Sequence, residues 1–306
     1  MLPPCLSGTA CASVGAGMAR QLIVNADDFG LTPGVSRGIA QAYDRGIVSS
    51  ASLVANGLGF EAALRIARAR PTLGVGLHLN LTEGRPVAGA DRVPTLVDGD
   101  GSFLGYKTLT LRLLSGRVSK DELRREIGAQ IERLERGGLR PTHLDGHRHV
   151  HLIPVLFDVV AEVAQAAGIA WVRCPAALGD RTRPSSVKAA RALGLAGFAR
   201  LQVARLERYG LKTADCFLGA MRGGGLEDLH EAASRLPELP HGLTEWMVHP
   251  GEIDSELLFL DDYVWQRQEE QRWLCSPEAA EAVEAAGVEL VDFTGAPKYP
   301  AASAAS

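Results

Sequence analysis

The chain has 306 residues, 46% hydrophobic and 22% charged, a globular composition that excludes disordered and fibrous classes. That length suits one large α/β barrel or two modest domains. A formal net charge of -4 gives no positive field for a phosphate backbone, so nucleic acid is not expected as a partner, and no stretch of about 18 uncharged apolar residues offers an integral membrane segment.

Cys5, Cys11, Cys174, Cys216 and Cys275 contain no Cys-x-x-Cys pair, which argues against a zinc ribbon or a disulfide framework and favours a reducing cytoplasm. Residues 1–17 lack a basic start and a continuous apolar core, so they make a poor signal peptide. We expect them to be a disordered extension or a misassigned start ahead of Met18, with residues 18–306 forming one domain.

From Gln21 onward, short apolar runs alternate with helical patterns, the signature of repeated βα units around a parallel sheet. The first strand is predicted over 22–24. Thr32 then offers an N-cap with Pro33 at the first helical position, Val35, Ile39 and Tyr43 share a face, and Gly46 stops the helix. A strand over 49–55, a helix over 61–70 and a strand over 75–79 follow. Residues 81–118 carry several Gly and Pro and little periodicity, and read as a long excursion that shapes a substrate site. Ser119 and Glu122 form a capping box for a helix striped by Leu123, Ile127, Ile131 and Leu134 and ended by Gly137-Gly138. Next come a strand over 142–145, a helix over 154–167, a strand over 169–173 and one or two amphipathic helices in the Arg-rich stretch 185–208. Strands over 214–219, 243–248 and 288–291, a helix over 226–236, a piece over 262–274 and a helix opened by Ser276-Pro277 and closed by Gly287 complete the pattern. Seven to eight strands with no linker-like break and no fixed repeat predict a single α/β domain of barrel type.

Four polar clusters follow the C-terminal ends of predicted strands, where such barrels place active sites. They are Asn25-Ala26-Asp27-Asp28-Phe29-Gly30, Gly76-Leu77-His78-Leu79-Asn80, the segment from His143 to His151, and Met247-Val248-His249-Pro250. Adjacent Asp27 and Asp28 repel unless a cation or a shared proton relieves them; a divalent ion would take one carboxylate and leave the other as a general base. The plainer alternative makes one of them a helix cap. His78 alone reads as a structural histidine, but residues 143–151 hold four of the eight histidines, a metal signal in which some imidazoles ligate and others orient them. His249, before Pro250, is either a proton donor to a leaving group or a loop histidine. Arg173 ends another predicted strand, there to meet a substrate or to pair with an acidic side chain. Cys174, Cys216, Trp246 and Met247 read as core. Gly223-Gly224-Gly225 lacks phosphate-cradling spacing, and a serine nucleophile is not expected.

Taken together, Leu22-Ile23-Val24-Asn25-Ala26-Asp27-Asp28-Phe29-Gly30, Gly76-Leu77-His78, Pro141-Thr142-His143-Leu144-Asp145-Gly146-His147-Arg148-His149-Val150-His151 and His249-Pro250 resemble the YdjC-like carbohydrate deacetylases, also called the ChbG/HpnK family. The resemblance spans Arg20 to about Phe293. It implies a distorted (β/α) barrel that removes the N-acetyl group of an N-acetylglucosamine-type sugar, in a chitooligosaccharide or a glucosaminyl lipid. It also implies one divalent ion, Mg2+ or Zn2+, bound by Asp28, His78 and His147, with Asp27 as catalytic base and His249 near the leaving group. Arg173 is expected to bind substrate, and His143, Asp145 and His149 to make hydrogen bonds that orient the ligands. Two readings compete: a barrel that binds sugar or metal without catalysis, which has no need of a spare carboxylate at Asp27, and a metal-dependent hydrolase of another ester or amide. The apolar run Leu257-Leu258-Phe259-Leu260 offers a homodimer contact.

Overall fold

The structure, a computed structural model, describes residues 19–175, 202–219 and 225–299. Its central strand is β1 (Arg20–Phe29), whose last eight residues are all buried. A strand with that pattern needs neighbours on both edges and layers on both faces. On one edge lies β2 (Ser50–Leu53), paired from Asn25 onward; β3 (Gly74–Leu79), β4 (His143–Gly146) and β5 (Trp171–Val172) continue outward from it. Beyond the other edge, β6 (Cys216–Leu218) flanks β7 (Gly242–Val248), and β7 pairs with β1 from Arg20 to Ala26. β8 (Glu289–Leu290) joins the foot of β1 at Gln21 and Leu22. All these pairings are parallel, in the order β5-β4-β3-β2-β1-β7-β6. Lys212, just ahead of β6, bridges Trp171 of β5, so one short segment touches strands at both ends of that order. The architecture is the expected distorted barrel, with β7 directly beside β1.

Parallel neighbours require crossovers. The helices are α1 (Pro33–Arg45), α2 (Phe60–Arg68), α3 (Tyr106–Leu114), α4 (Lys120–Arg136), α5 (Pro154–Ala166), α6 (Leu226–Ser234), α7 (Ser255–Leu260), α8 (Trp265–Leu274) and α9 (Pro277–Ala286). Thr32 Oγ1 accepts from the Val35 N–H at 3.1 Å and Ser276 Oγ from the Ala279 N–H at 3.3 Å, so α1 and α9 start as their sequences predict. Ser119 likewise caps the Glu122 N–H at 3.4 Å, but the reciprocal half of the box is not made. The Glu122 carboxylate instead accepts from the Thr95 N–H and hydroxyl at 2.7 and 2.8 Å. The excursion over 81–118 contains α3, which the periodicity does not announce. Only Leu109 and Leu113 of α3 are buried, while Leu111 and Leu114 are 68% and 65% exposed, so its apolar residues form no single stripe. α4 pins the excursion from below: buried Glu126, its pKa raised by burial, accepts from the Val87 and Ala88 N–H groups at 2.9 and 2.8 Å.

The first strand is longer than the apolar run 22–24, because polar residues continue it into the interior; 169–173 and 214–219 shrink to β5 and β6. The extension 1–17 and most of the Arg-rich stretch 185–208 lie outside the described residues, although 202–206 is helical. No helix among the described residues is long and apolar enough to cross a membrane.

Alternation along each strand decides what the barrel encloses. Leu22, Val24 and Ala26 join the main core under the helices, whereas Ile23 joins Val291 and Phe293 in a separate cluster with Trp171 and Leu243 against it. Asn25 and Asp27 share Ile23's side. By the same rule Ser52, His78, His143, Asp145, Arg173 and Glu245 turn inward, while their neighbours Leu53, Leu77, Leu144, Val172 and Trp246 belong to the outer core. The barrel is thus plugged by apolar residues at the bottom and filled with polar ones above. Gly76 makes room for them: a Cβ there would lie 2.4 Å from the His143 ring, which stacks on Phe293 at 3.9 Å between centroids. Gly76→Ala is expected to lower stability by about 1–3 kcal/mol in urea unfolding. Gly128→Ala, inside α4 with open space around its Cβ, should raise it by about 0.5–1 kcal/mol in the same measurement.

Candidate active site and metal centre

In a regular strand Asp27 and Asp28 would point to opposite faces. The register of β1 against β2 shifts between Ala26 and Phe29, and Asp28 has φ +66°. Such an irregularity re-aims a side chain, and Asp is among the non-glycine residues that tolerate left-handed backbone. Both carboxylates therefore line one cavity of about 260 Å³, together with His78, His147, His149 and His249.

Asp28 gathers two of these histidines. Its Oδ1 lies 3.3 Å from His78 Nε2 and 3.0 Å from His147 Nδ1, and its Oδ2 accepts from Arg267 Nη2 at 2.7 Å. Burial works to raise the Asp28 pKa, but Arg267 and His147 outweigh it and hold the carboxyl well below its usual range. His78 Nδ1 is 2.7 Å from Asp145 Oδ1, which anchors the ring with Nε2 toward Asp28. Burial opposes the charge on both imidazoles; Asp145 and Asp27 nevertheless push His78 up to about 10, and Asp28 pushes His147 up to about 8. His147 enters from a tight turn in which Arg148 and His149 have φ +55° and +54°. Left-handed backbone at two successive non-glycine residues costs of order 1–3 kcal/mol each.

Beneath the cavity sits Arg173, fully buried. Its Nη1 and Nη2 donate to Asp27 Oδ2 and Oδ1 at 2.6 and 2.7 Å, Nη2 also lies 2.7 Å from Asp145 Oδ2, and Nε donates to Glu245 Oε1 at 2.7 Å. Burial raises the Asp27 pKa, but Arg173 outweighs it and the net shift is downward; Asp145 is likewise held low by Arg173 and His78 against burial. At Glu245 burial prevails and lifts the pKa to about 7. His143 Nε2 meets Ser52 Oγ at 2.9 Å. Because that hydroxyl donates to Asp145 Oδ2 at 2.7 Å, His143 is the donor at Nε2, and its Nδ1 accepts from Thr142 Oγ1 at 3.0 Å. Burial drives His143 down to about 3, in keeping with a neutral ring.

Asp27, Asp28, His78, His147, His149 and His249 are thus brought to one cavity, with His143 and Asp145 below it. Arg173 is not among the residues lining the cavity, and each of its nitrogens donates to a carboxylate. His149 lines the cavity; burial lowers its pKa to about 3, and its Nδ1 has no hydrogen-bond partner. His249 is half-buried in the cavity wall, its backbone N–H donating to Glu270 Oε2 at 2.5 Å and its ring 5.6 Å from that of Tyr263. Arg267, Glu245, Tyr263, Asp261 and Glu83 escaped the sequence reading. Arg267 resembles any charged residue on a polar helix, and its role depends on meeting Asp28 239 positions away. A Gly-x-Ser-x-Gly string does run from Gly34 to Gly38. It lies within α1, and Ser36 is buried with its hydroxyl donating to the Thr32 carbonyl at 2.8 Å, so it offers no nucleophile.

Asp28, His78 and His147 each bring one ligand atom within 4.8 Å of the others, a geometry that could hold one metal ion. One carboxylate and two imidazoles form a three-ligand set of the kind that leaves positions open for water. Asp27, His78 and Asp145 lie equally close together, but Arg173 already occupies both carboxylates, and a cation there would face a guanidinium. The donor chemistry therefore fits an ion at Asp28.

Residues 21–285 match the model of the family described as YdjC-like protein. The chain is 38% identical over 242 residues to a carbohydrate deacetylase of Mus musculus, an alignment covering 76% of this chain and 78% of that one. To a carbohydrate deacetylase of Geobacillus stearothermophilus it is 36% identical over 277 residues, covering 90% and 98%. A chitooligosaccharide deacetylase of Serratia marcescens is 42% identical over 153 residues, covering 50% and 58%. Among solved structures, a protein of Enterococcus faecalis V583 named for cellobiose-phosphate cleavage superposes with a TM-score of 0.73 at 28% identity, covering 90% and 98%. With the family model spanning nearly the whole barrel and the Asp and His clusters meeting in one cavity, the chain belongs to the YdjC-like family.

Proposed function

We propose that this protein is a metal-dependent carbohydrate deacetylase that hydrolyses the N-acetyl group of an N-acetylglucosamine-type sugar. The observation that carries this reading is the division of labour between neighbouring carboxylates. Asp28 faces two imidazoles, while Asp27, held by Arg173, stands beside it in the same cavity. The names of the related deacetylases supply the substrate class.

Asp28, His78 and His147 would hold the ion. Two nitrogen donors suit Zn2+ better than Mg2+, which favours oxygen. When bound, the ion supplies Lewis acidity at the acetamide carbonyl and lowers the pKa of water beside it. Asp27 accepts the proton of the attacking water. The Arg173 fork fixes Asp27 in orientation and keeps it ionised, so Arg173 acts through Asp27 and not on the sugar. His249, on the cavity wall, gives a proton to the departing amine. Asp145 orients His78, and His143 steadies Asp145 through Ser52.

A binder without catalysis would have no use for an ionised carboxylate held beside the ligand set, which is why the hydrolytic reading is preferred. Leu258, Phe259 and Leu260 are 58%, 90% and 42% exposed, and we retain them as the homodimer contact, to be checked by sedimentation.

Acetate release from N,N'-diacetylchitobiose should vanish in chelated protein and return on adding zinc or magnesium. Phosphate release from phosphorylated sugars in place of acetate would overturn the assignment. Asp27→Asn is expected to lower kcat by about 10²–10⁴ with metal content unchanged. His78→Ala and His147→Ala should lose both activity and metal, and full occupancy in the two would reject them as ligands. Asp145→Asn should weaken metal binding by about 10–100-fold in a chelator competition.

A further inference from the structure

Asn80, in the polar cluster after β3, does not line the cavity, although it is only 4% exposed. Its amide is spent on the loop that follows. Oδ1 accepts from the Thr82 and Glu83 N–H groups at 3.0 and 3.1 Å, and Nδ2 donates to the Glu83 carbonyl at 2.9 Å. Asn56, just past β2, donates to the same carbonyl at 2.9 Å and accepts from Asn80 Nδ2 at 3.0 Å. Two asparagine side chains therefore clamp both backbone polar groups of Glu83.

The carboxylate so presented meets His147. Glu83 Oε1 accepts from Arg148 Nε and Nη2 at 2.9 and 2.6 Å, which leaves Oε2 turned to His147 Nε2 at 3.5 Å. That nitrogen is buried and makes no hydrogen bond, with the Glu83 carboxylate as its charged neighbour, while Nδ1 of the same ring is drawn to Asp28 at 3.0 Å. His78 shows the same plan with its nitrogens exchanged: Asp145 on Nδ1, and Nε2 toward Asp28. A histidine that ligates through one nitrogen keeps its orientation and basicity by donating from the other.

We infer that Glu83 is a positioning residue for His147, which selects Nδ1 as the ligand atom by offering an acceptor to Nε2–H. The inference rests on the metal reading above. It assigns to the clamped loop after β3 a part in the site that neither the histidine cluster nor the Asp pair reveals.

Zinc affinity of the full chain, stripped and then titrated against a fluorescent chelator, tests it. Glu83→Ala should weaken zinc binding by about 10–100-fold. Glu83→Gln, which keeps an acceptor oxygen without the charge, should recover most of that loss. Unchanged affinity in Glu83→Ala overturns the inference, and so does an equal loss in both variants, because charge rather than orientation would then be acting. Arg148→Ala removes the other partner of Glu83; a loss there as large as in Glu83→Ala assigns the effect to the loop and also overturns it. Zinc-free melting of each variant checks that the fold is intact. Wild-type protein that binds no zinc would instead defeat the metal reading itself.

Discussion

One guanidinium inside the barrel organises the site. Arg173 is surrounded by Asp27, Asp145 and Glu245, each within 2.7 Å. Buried carboxylates are tolerable only when paired, and removing one partner of such a set commonly costs about 3–5 kcal/mol. Three acids from β1, β4 and β7 thus converge because one cation lies between them. Everything above that level, from the orientation of His78 to the ionisation of Asp27, inherits its geometry from this contact.

Strain is concentrated in the next layer up. Asp28, Arg148 and His149 are the non-glycine residues with positive φ among those described, and all three flank or form the cavity. Their conformations are costly, so the surrounding structure must over-determine them. At Asp28 that work is done by Arg267 and two imidazoles, and at Arg148 by the clamped Glu83. The strained backbone brings side chains from β1 and from the turn after β4 to a single point that regular strands could not reach.

Much of this was legible in the chain. The βα alternation, the caps at Thr32 and Ser276, and the clustering of Asp27, Asp28, His78, His147 and His249 at the C-terminal ends of strands all follow from local rules of periodicity and capping. What escaped was set by partners remote in sequence. Glu122 completes a capping-box pattern in sequence only, because Thr95 captures its carboxylate; α3 shows no stripe because only two of its leucines find a core.

Arg173 marks the boundary most clearly. Its position at a strand end is a local property, so the chain alone places it at the C-terminal end of a barrel strand. Whether it would touch substrate or acids depended on which side chains faced it across the interior, a matter of strand order and register. The same holds for the paired carboxylates: adjacency is written in the chain, but Asp27 became the arginine-held partner and Asp28 the histidine-gathering one only through a backbone irregularity beside β2. Short-range chemistry fixes which groups are available, and packing of strands far apart in sequence decides which of them meet.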